Sequence, residues 1–532
     1  MIKKHIHFIG ICGVAMSALA IMMQKKGWKV TGSDKGFYPP ISTHLLKNKI
    51  EFYPGWHPEK IGKNCHSEST EGIPLELDSE SFKENDSDKK DPDFHQDDNV
   101  PDLVVVGNVA GSTNPEFLFV KENNIPYLSY PELIKQELLK ENNIIVVGTY
   151  GKTSCTTMLS WILKQADFKP SYMFGGLSLN LDNASDDLGG DWSVLEGDEY
   201  KTSRWDTKAK FFSYQPTHLL LTAVKWDHAD VYPTEELYFE AFKKLVKMIP
   251  KDGLIIVSEN IGKEILKQVQ DDSVRDPSVP QDDNGVMQNS IKIVSYGKSP
   301  DCDYQYSDVK STTTGLELKI KHKEKTYKIK TPILGNFQAE NTCGSFAMAH
   351  QIGISGQLIG QLIGQFKGIK RRLEIRGKTK NNTTVIDDIA HSPDKVKSVL
   401  ETLSNIYKFS SESQKILNQV QDDKKPKITC IFEPNTGNRK NESIPSYNHA
   451  FKKADEVIIP RLTKVKIKNE DPNPPFDGKK LTKVISKTHS NTKYVDDDEK
   501  LIDYLKENHN QNDVIVFCGS HSFRNMINEL IK

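Results

Sequence analysis

A lysine followed by two hydroxyls, set behind a pair of glycines at the end of an apolar run, has the residue types a phosphate group needs. Ile144-Ile145-Val146-Val147 are four consecutive β-branched residues that lead into Gly148-Thr149-Tyr150-Gly151-Lys152-Thr153-Ser154. The run reads as a buried parallel strand. Glycines at Gly148 and Gly151 let backbone N–H groups approach an anion, Lys152 reaches the terminal phosphates, and the Thr153 hydroxyl can ligate Mg²⁺. The loop is shorter than the usual GxxxxGK[ST], because its first glycine is Gly148. From Thr153 to Lys164 the spacing predicts a helix with Met158, Leu159, Ile162 and Leu163 on one face.

Two more polar clusters close apolar runs. Glu196 ends the strand-like Trp192-Ser193-Val194-Leu195-Glu196 and is followed by Gly197-Asp198-Glu199, while Asp227-His228-Ala229-Asp230 follows His218-Leu219-Leu220-Leu221-Thr222. In a parallel sheet the C-terminal strand ends converge on one rim, where ligands bind. Thr153, Glu196 and His228 on such a rim could hold metal ions against nucleotide phosphates.

The first thirty-odd residues carry a second candidate. Ile6-His7-Phe8-Ile9 leads to Gly10-Ile11-Cys12-Gly13, a helix from about Val14 to Lys26, and a strand over Trp28 to Gly32 that ends at Ser33-Asp34. This is a mononucleotide-binding βαβ unit, with Asp34 where a ribose hydroxyl would be read. A dinucleotide fingerprint would want glycines where Cys12 and Ala15 stand. A pyrophosphate of another nucleotide suits the helix N-terminus equally well.

The elements that must position these residues form an α/β chain of several domains. At 532 residues the chain is too long for one hydrophobic core. A net charge of −1 gives no broad basic field, which excludes a nucleic-acid or membrane-surface partner read from charge; phosphates must be met by local sites. Seven scattered cysteines without a CxxC pair argue for a reducing compartment and against a zinc site or disulfide frame. His5, His7, Gly10 and Gly13 break up the N-terminal apolar run, which reads as the start of a fold rather than a signal peptide. No stretch is long and apolar enough to span a bilayer, so the expected location is cytoplasmic.

A first domain is expected over 1–141, with the strand Leu103-Val104-Val105-Val106, a shorter strand at Pro126–Ser129 and a helix from Tyr130 to Glu141. A central domain is expected over 142–369, with a strand at Gly253–Val257 and helices near Thr234–Met248 and Ala339–Gln351. A third is expected over 370–532, with strands at Thr384–Asp387, Ile428–Phe432, Glu456–Ile459 and Val514–Phe517. Polar stretches at 66–99, 268–289 and 410–425 share echoes such as Gln268-Val269-Gln270-Asp271-Asp272 and Gln419-Val420-Gln421-Asp422-Asp423. They lack core-forming residues and read as disordered surface insertions.

The set of motifs resembles the Mur ligases of peptidoglycan synthesis over nearly the whole chain outside the insertions. Gly148–Ser154 is similar to their GTxGKT[TS] loop, Val194–Glu199 to (V/I)xEADE, and Asp227-His228-Ala229-Asp230 to DHxD. Phe366-Lys367-Gly368-Ile369-Lys370-Arg371-Arg372-Leu373-Glu374 is similar to FxGVKRRxE, and Asp387-Asp388-Ile389-Ala390-His391-Ser392-Pro393 to DDxAHxP. The resemblance implies a Rossmann-like N-terminal domain for a UDP-sugar, a P-loop-type central ATPase domain, and a Rossmann-like C-terminal domain for the incoming amine, closing around the substrates. It implies ATP with Mg²⁺ on Thr153, Glu196 and His228, and phosphate contacts from Lys152 and Arg372. It places Thr149, Tyr150, Ser154, Asn341 and Asp388 at the ATP, and Gly10, Cys12, Gly13, Ser33 and Asp34 at the UDP-sugar. His391, Asn435 and Arg439 would meet the substrates being joined.

Two branches of the family compete, one adding L-alanine to UDP-N-acetylmuramate and one adding the tripeptide L-alanyl-γ-D-glutamyl-meso-diaminopimelate. Tyr38-Pro39-Pro40-Ile41-Ser42-Thr43, the segment Glu199–Phe211 and Phe432-Glu433-Pro434 resemble the tripeptide branch, whose FEP replaces the FQP of the alanine branch. Some positions depart from the family. Tyr150 stands for a histidine, Gly197 and Lys201 for alanine and aspartate, and Phe337 and Gln338 for the histidine and asparagine that help read adenine. Asn435 stands for the arginine after FEP, and Cys518–Phe523 departs from SNGxF. These departures leave a second reading open, a nucleotide-sugar sensor that has lost catalysis.

Overall fold

The computed structural model describes residues 4–37, 41–61, 100–203, 206–226, 231–261, 291–417, 426–463 and 474–532. The polar stretches 66–99 and 268–289, and the Asp227–Asp230 cluster with His228, lie outside the described residues. The chain forms two compact units, one of Met1–Ile134 with Lys201–Thr207, the other of Lys135–Tyr200 with Lys208–Lys532.

In the first unit five parallel strands are ordered Glu51–Pro54, Lys29–Asp34, His5–Ile9, Leu103–Val106, Tyr127–Ser129. The order reverses at His5–Ile9, and that switch opens a crevice at the strand ends. Ile6, Phe8 and Ile9 are fully buried, and the helix Val14–Lys25 buries Met16 and every residue from Ser17 to Met23. Burial on that scale explains why its sequence shows no polar face. The helix expected to reach Glu141 stops at Glu137.

The second unit holds two sheets. A ten-stranded sheet centres on Asn142–Val147, flanked in parallel by His218–Leu221 and Trp192–Gly197. Register pairs Val147 with Leu221 on one side and Gly197 on the other, so the three strand ends lie level. Ile144 to Val147 have no exposed surface, as the four β-branched residues require. The helix Lys152–Gln165 lays Met158, Leu159, Ile162 and Leu163, all fully buried, on the sheet. Sequence patterning missed the antiparallel meander Tyr304–Thr312, Gly315–His322 and Lys325–Thr331 at one edge of this sheet. Its outer strands alternate lysine with apolar residues, the mark of a half-exposed edge rather than a buried strand.

The six-stranded sheet contains Thr384–Asp388, Val514–Gly519, Ile428–Glu433 and Glu456–Ile459 in parallel, with Glu374–Lys378 antiparallel at one edge and the short strand Thr492–Tyr494 at the other. The 410–425 stretch, expected as an insertion, begins inside the helix Pro393–Leu417. Polarity alone does not separate a loop from a continued helix, and here the backbone stays helical to Leu417.

Candidate active site

The phosphate loop is shaped by its neighbours. Thr149 N–H donates to Ala223 O at 2.6 Å, and the Thr149 hydroxyl donates to Lys225 O at 2.7 Å while accepting Lys225 N–H at 2.8 Å. The Thr222 hydroxyl shares its one proton between Tyr150 O and Val147 O, the latter at 3.1 Å. The segment after one strand thus fixes the loop after the next. Gly148 (φ +135°) and Gly151 (φ +85°) turn the chain in conformations that L side chains avoid. A Cβ at Gly151 would lie 2.4 Å from Asn341 Oδ1. Tyr150 needs no such fit, because its side chain is exposed.

Behind the loop stand two acids. The Thr153 hydroxyl donates to Glu196 Oε1 at 2.8 Å, and Gly175 N–H donates to Glu196 Oε2 at 2.6 Å. Burial pushes the Glu196 carboxyl above the usual carboxylate range. Lys152 Nζ bonds both oxygens of Glu199, at 2.8 and 3.0 Å, and Gly148 O at 2.5 Å. Gly197, where the resembled motif has alanine, leaves no space for a Cβ, which would lie 2.5 Å from Val147 Cγ1 and 2.7 Å from Ile145 Cγ2.

Two hard oxygen donors side by side, Thr153 Oγ1 and Glu196 Oε1, fit a magnesium ion, which takes few protein oxygens and keeps its waters. His228, the third expected ligand, lies outside the described residues.

Next to the first turn of the phosphate-loop helix is a cavity of about 360 Å³ lined by Ser154, Gln338, Phe366, Ile369, Arg372 and Glu374, among others. Apolar side chains such as Leu179, Ile333 and Phe366 share its lining with the polar and charged Ser154, Gln338, Lys367, Arg372 and Glu374. Gln338 Oε1 accepts from Asn341 Nδ2 at 2.9 Å. Of the two altered positions, Gln338 lines the cavity, while Phe337 precedes the first turn of the helix Gln338–Gln351 without a capping bond and is 54% exposed.

The two adjacent arginines do different things. Arg371 donates to Gly519 O, Ser520 O and His521 O at 2.5, 3.2 and 2.7 Å and to Asp387 Oδ1 at 3.2 Å. Arg372 is exposed and lines the cavity. Asp388 accepts Leu373 N–H and Ala390 N–H, each at 2.8 Å, so its carboxylate shapes the turn that carries Arg372; burial pushes its pKa up. His391 pairs Nδ1 with Ile389 O at 2.7 Å, and burial lowers its pKa.

At the same C-terminal rim of the six-stranded sheet, Asn435 caps a short 3₁₀ turn by accepting Asn438 N–H at 3.0 Å. Arg439 is buried, with Nε donating to Phe476 O at 2.8 Å, and burial lowers its pKa. Glu433 is 1% exposed and accepts Thr463 N–H and its hydroxyl, each at 2.7 Å.

In the first unit, Gly10 and Ile11 donate N–H bonds to Ser33 O at 2.8 and 3.0 Å, and Cys12 N–H donates to Asp34 Oδ2 at 2.9 Å. Asp34 Oδ1 accepts Lys35 N–H at 2.7 Å, so this acid ties the glycine turn to the neighbouring strand end. Gly13 caps the helix Val14–Lys25 without a side-chain bond. Burial raises the Cys12 thiol, with Asp34 adding to it. Sequence reasoning missed Glu116, fully buried and bonded by the Ser33 hydroxyl at 2.5 Å, Tyr53 OH at 2.9 Å and His57 N–H at 2.7 Å. It also gave Glu199 no task, although the acidic run Glu196–Glu199 beside the loop lysine was visible.

Comparison with known proteins bears on this geometry. The Mur ligase family, catalytic domain, matches residues 5–141; the Mur ligase middle domain matches 146–349; and the Mur ligase, glutamate ligase domain, matches 371–521. The UDP-N-acetylmuramate–L-alanyl-γ-D-glutamyl-meso-2,6-diaminoheptandioate ligase of Escherichia coli K12 is 30% identical over 75% of this chain and 75% of its own. The UDP-N-acetylmuramate–L-alanine ligase of Clostridium acetobutylicum is 26% identical over 98% of this chain and 95% of its own. Among solved structures, the UDP-N-acetylmuramate–alanine ligase of Thermotoga maritima superposes with a TM-score of 0.69 at 20% identity, covering 99% of this chain and 98% of that one.

Proposed function

Because the chain belongs to the Mur ligase family, we propose that it joins the lactoyl carboxylate of UDP-N-acetylmuramate to L-alanyl-γ-D-glutamyl-meso-diaminopimelate. It is an ATP-dependent, ADP-forming amide ligase of peptidoglycan synthesis. The fold is mixed α/β with three sheets, matching the three-domain architecture of that family.

The observation that carries the reaction type is the rim at which Lys152, Thr153 and Glu196 meet beside a cavity walled by Arg372. A carboxylate is a poor acyl donor, so it first takes the γ-phosphoryl group of ATP and becomes an acyl phosphate. The amine nitrogen then adds to the acyl carbon, loses a proton, and expels phosphate. Phosphoryl transfer needs in-line placement and neutralised charge rather than a nucleophilic side chain. Lys152 and Arg372 supply positive charge, and backbone N–H groups of the loop orient the phosphates. A magnesium ion held by Thr153 and Glu196, with His228 as the expected further ligand, would offset the repulsion between phosphate and substrate carboxylate.

For the tripeptide as the amine, support comes from Phe432-Glu433-Pro434 and from the E. coli relative, whose name gives that substrate. Addition of L-alanine is the second reading, supported by the clostridial relative that covers nearly the whole chain. Phosphate release with purified protein, UDP-N-acetylmuramate, ATP and Mg²⁺ decides between them. Release with tripeptide and not with alanine is the expected result. Release with alanine alone overturns the tripeptide reading, and UDP-sugar binding without ATP hydrolysis under any amine favours a sensor. No helix among the described residues is long and apolar enough to cross a membrane. A cytoplasmic enzyme acting on small molecules is the setting proposed.

A further inference from the structure

Glu199 has no task in the reaction above, yet its side chain is 1% exposed and faces the phosphate-loop lysine. Lys152 Nζ bonds Glu199 Oε2 at 2.8 Å, Glu199 Oε1 at 3.0 Å and Gly148 O at 2.5 Å. Three acceptors thus meet a group with three N–H donors. A phosphate oxygen can be met only if one of these contacts is given up.

The acid is pinned in its turn. Tyr232 OH donates to Glu199 O at 2.7 Å. On one side of it Lys210 Nζ bonds Asp198, and on the other Lys210 N–H donates to Tyr200 O at 3.1 Å. These contacts hold the backbone at Glu199 in place, so the longer reach toward a ligand falls to the flexible Lys152 side chain.

We propose that Glu199 is a positioning residue that competes with the nucleotide for Lys152, so that binding exchanges one anion for another at the ammonium group. The proposal rests on the ATP reading of the loop and deepens it. A triphosphate, which brings more negative charge to Lys152, displaces the carboxylate more readily than a diphosphate does. Once the γ-phosphoryl group has left, Glu199 reclaims the lysine and speeds the departure of ADP. The acid therefore weakens the hold on both nucleotides and eases the departure of the product.

The test is titration calorimetry of a non-hydrolysable ATP analogue and of ADP, with Mg²⁺, on the full chain. Glu199→Gln keeps the shape and removes the competing charge. The expected result is tighter binding of both nucleotides, roughly three- to tenfold for the ATP analogue, which displaces the carboxylate more fully, and less for ADP, as when a competing ground state is removed. A merely structural role predicts the opposite sign, because damage to the loop weakens binding. The gain should vanish when Glu199→Gln is placed in a Lys152→Ala background. Glu199→Asp, whose carboxylate is one methylene short of Nζ, serves as the second variant and should tighten ADP in the same direction. Wild-type binding with unchanged or weaker affinity in both variants overturns the competition alone. A wild-type chain that binds no adenine nucleotide overturns the ATP reading and the competition with it.

Discussion

The Thr153 hydroxyl and Glu196 Oε1, 2.8 Å apart, tie the first turn of the phosphate-loop helix to the end of the neighbouring parallel strand. Sequence separation between them is large, but the level strand ends bring the two oxygens together. Glu196→Gln keeps the hydrogen-bond acceptor and removes the charge. Turnover should fall by roughly 100-fold and half-saturation should move to higher Mg²⁺, read from phosphate release in a magnesium titration. Chelation with EDTA should abolish turnover of the wild type. An unchanged magnesium dependence in the variant would remove Glu196 from the metal site.

Arg371 and Arg372 are adjacent in sequence and separable by experiment. Arg371 binds three backbone carbonyls of the loop Gly519–His521 and the buried Asp387, which Arg376 also meets at 3.3 Å. Arg371→Ala should cost about 3 kcal/mol or more of stability, because it leaves a buried carboxylate with half its neutralising partners. Arg372→Ala should leave the melting temperature near that of the wild type and lower turnover by roughly 100-fold. Differential scanning calorimetry beside phosphate release reads both. Loss of stability in Arg372→Ala with full activity in Arg371→Ala would reverse the assignment.

How much of this was legible in the sequence depended on the length scale of each cause. The phosphate loop, its strand and its helix are local, and Ile144–Val147 with Gly148–Ser154 announced them. The glycine turn at Gly10 and the strand that ends at Asp34 were legible for the same reason. Arg371 was not distinguished from Arg372 as a structural strut, because its partners at Gly519, Ser520 and His521 lie about 150 residues away. Glu116 was missed because its partners Ser33, Tyr53 and His57 come from two other segments, and an acid in a helix's first turn reads as a cap. The meander at Tyr304–Thr331 was missed because lysines alternate along its exposed face.

Asn341 links the cavity wall to the phosphate loop, since its Nδ2 donates to Gln338 Oε1 and its Oδ1 sits against Gly151. Asn341→Ala should free the Gln338 amide to rotate and loosen the loop turn. The expected effect is a KM for ATP raised roughly tenfold, equivalent to about 1.4 kcal/mol, with the KM for the UDP-sugar little changed. Steady-state kinetics with each substrate varied in turn makes the comparison. An equal rise in both KM values would mean a general disturbance instead.

Acid should destabilise the protein in two overlapping windows. His7 is fully enclosed and pairs Nδ1 with the Thr31 hydroxyl at 2.8 Å; burial, with His5 adding, pushes its pKa down to about 3 from an ordinary 6.5. Its folded form binds fewer protons than the unfolded chain between those values. The stability it contributes is therefore full above pH 6.5 and is lost as pH falls toward 3. Glu456 follows the same direction for another reason. Burial alone would raise it, but Lys427 at 2.7 Å, Lys493 at 2.5 Å and Tyr504 OH at 2.7 Å outweigh that and hold it at about 2, against an ordinary 4.5. Its share is present above pH 4.5 and lost toward pH 2. Each loss is on the order of a few kcal/mol. Urea midpoints measured from pH 7.5 down to about 4.5 should fall steadily in the wild type and less steeply in His7→Gln, which cannot take up the proton. Equal slopes in the two proteins would show that His7 is already neutral in the unfolded chain or accessible in the folded one.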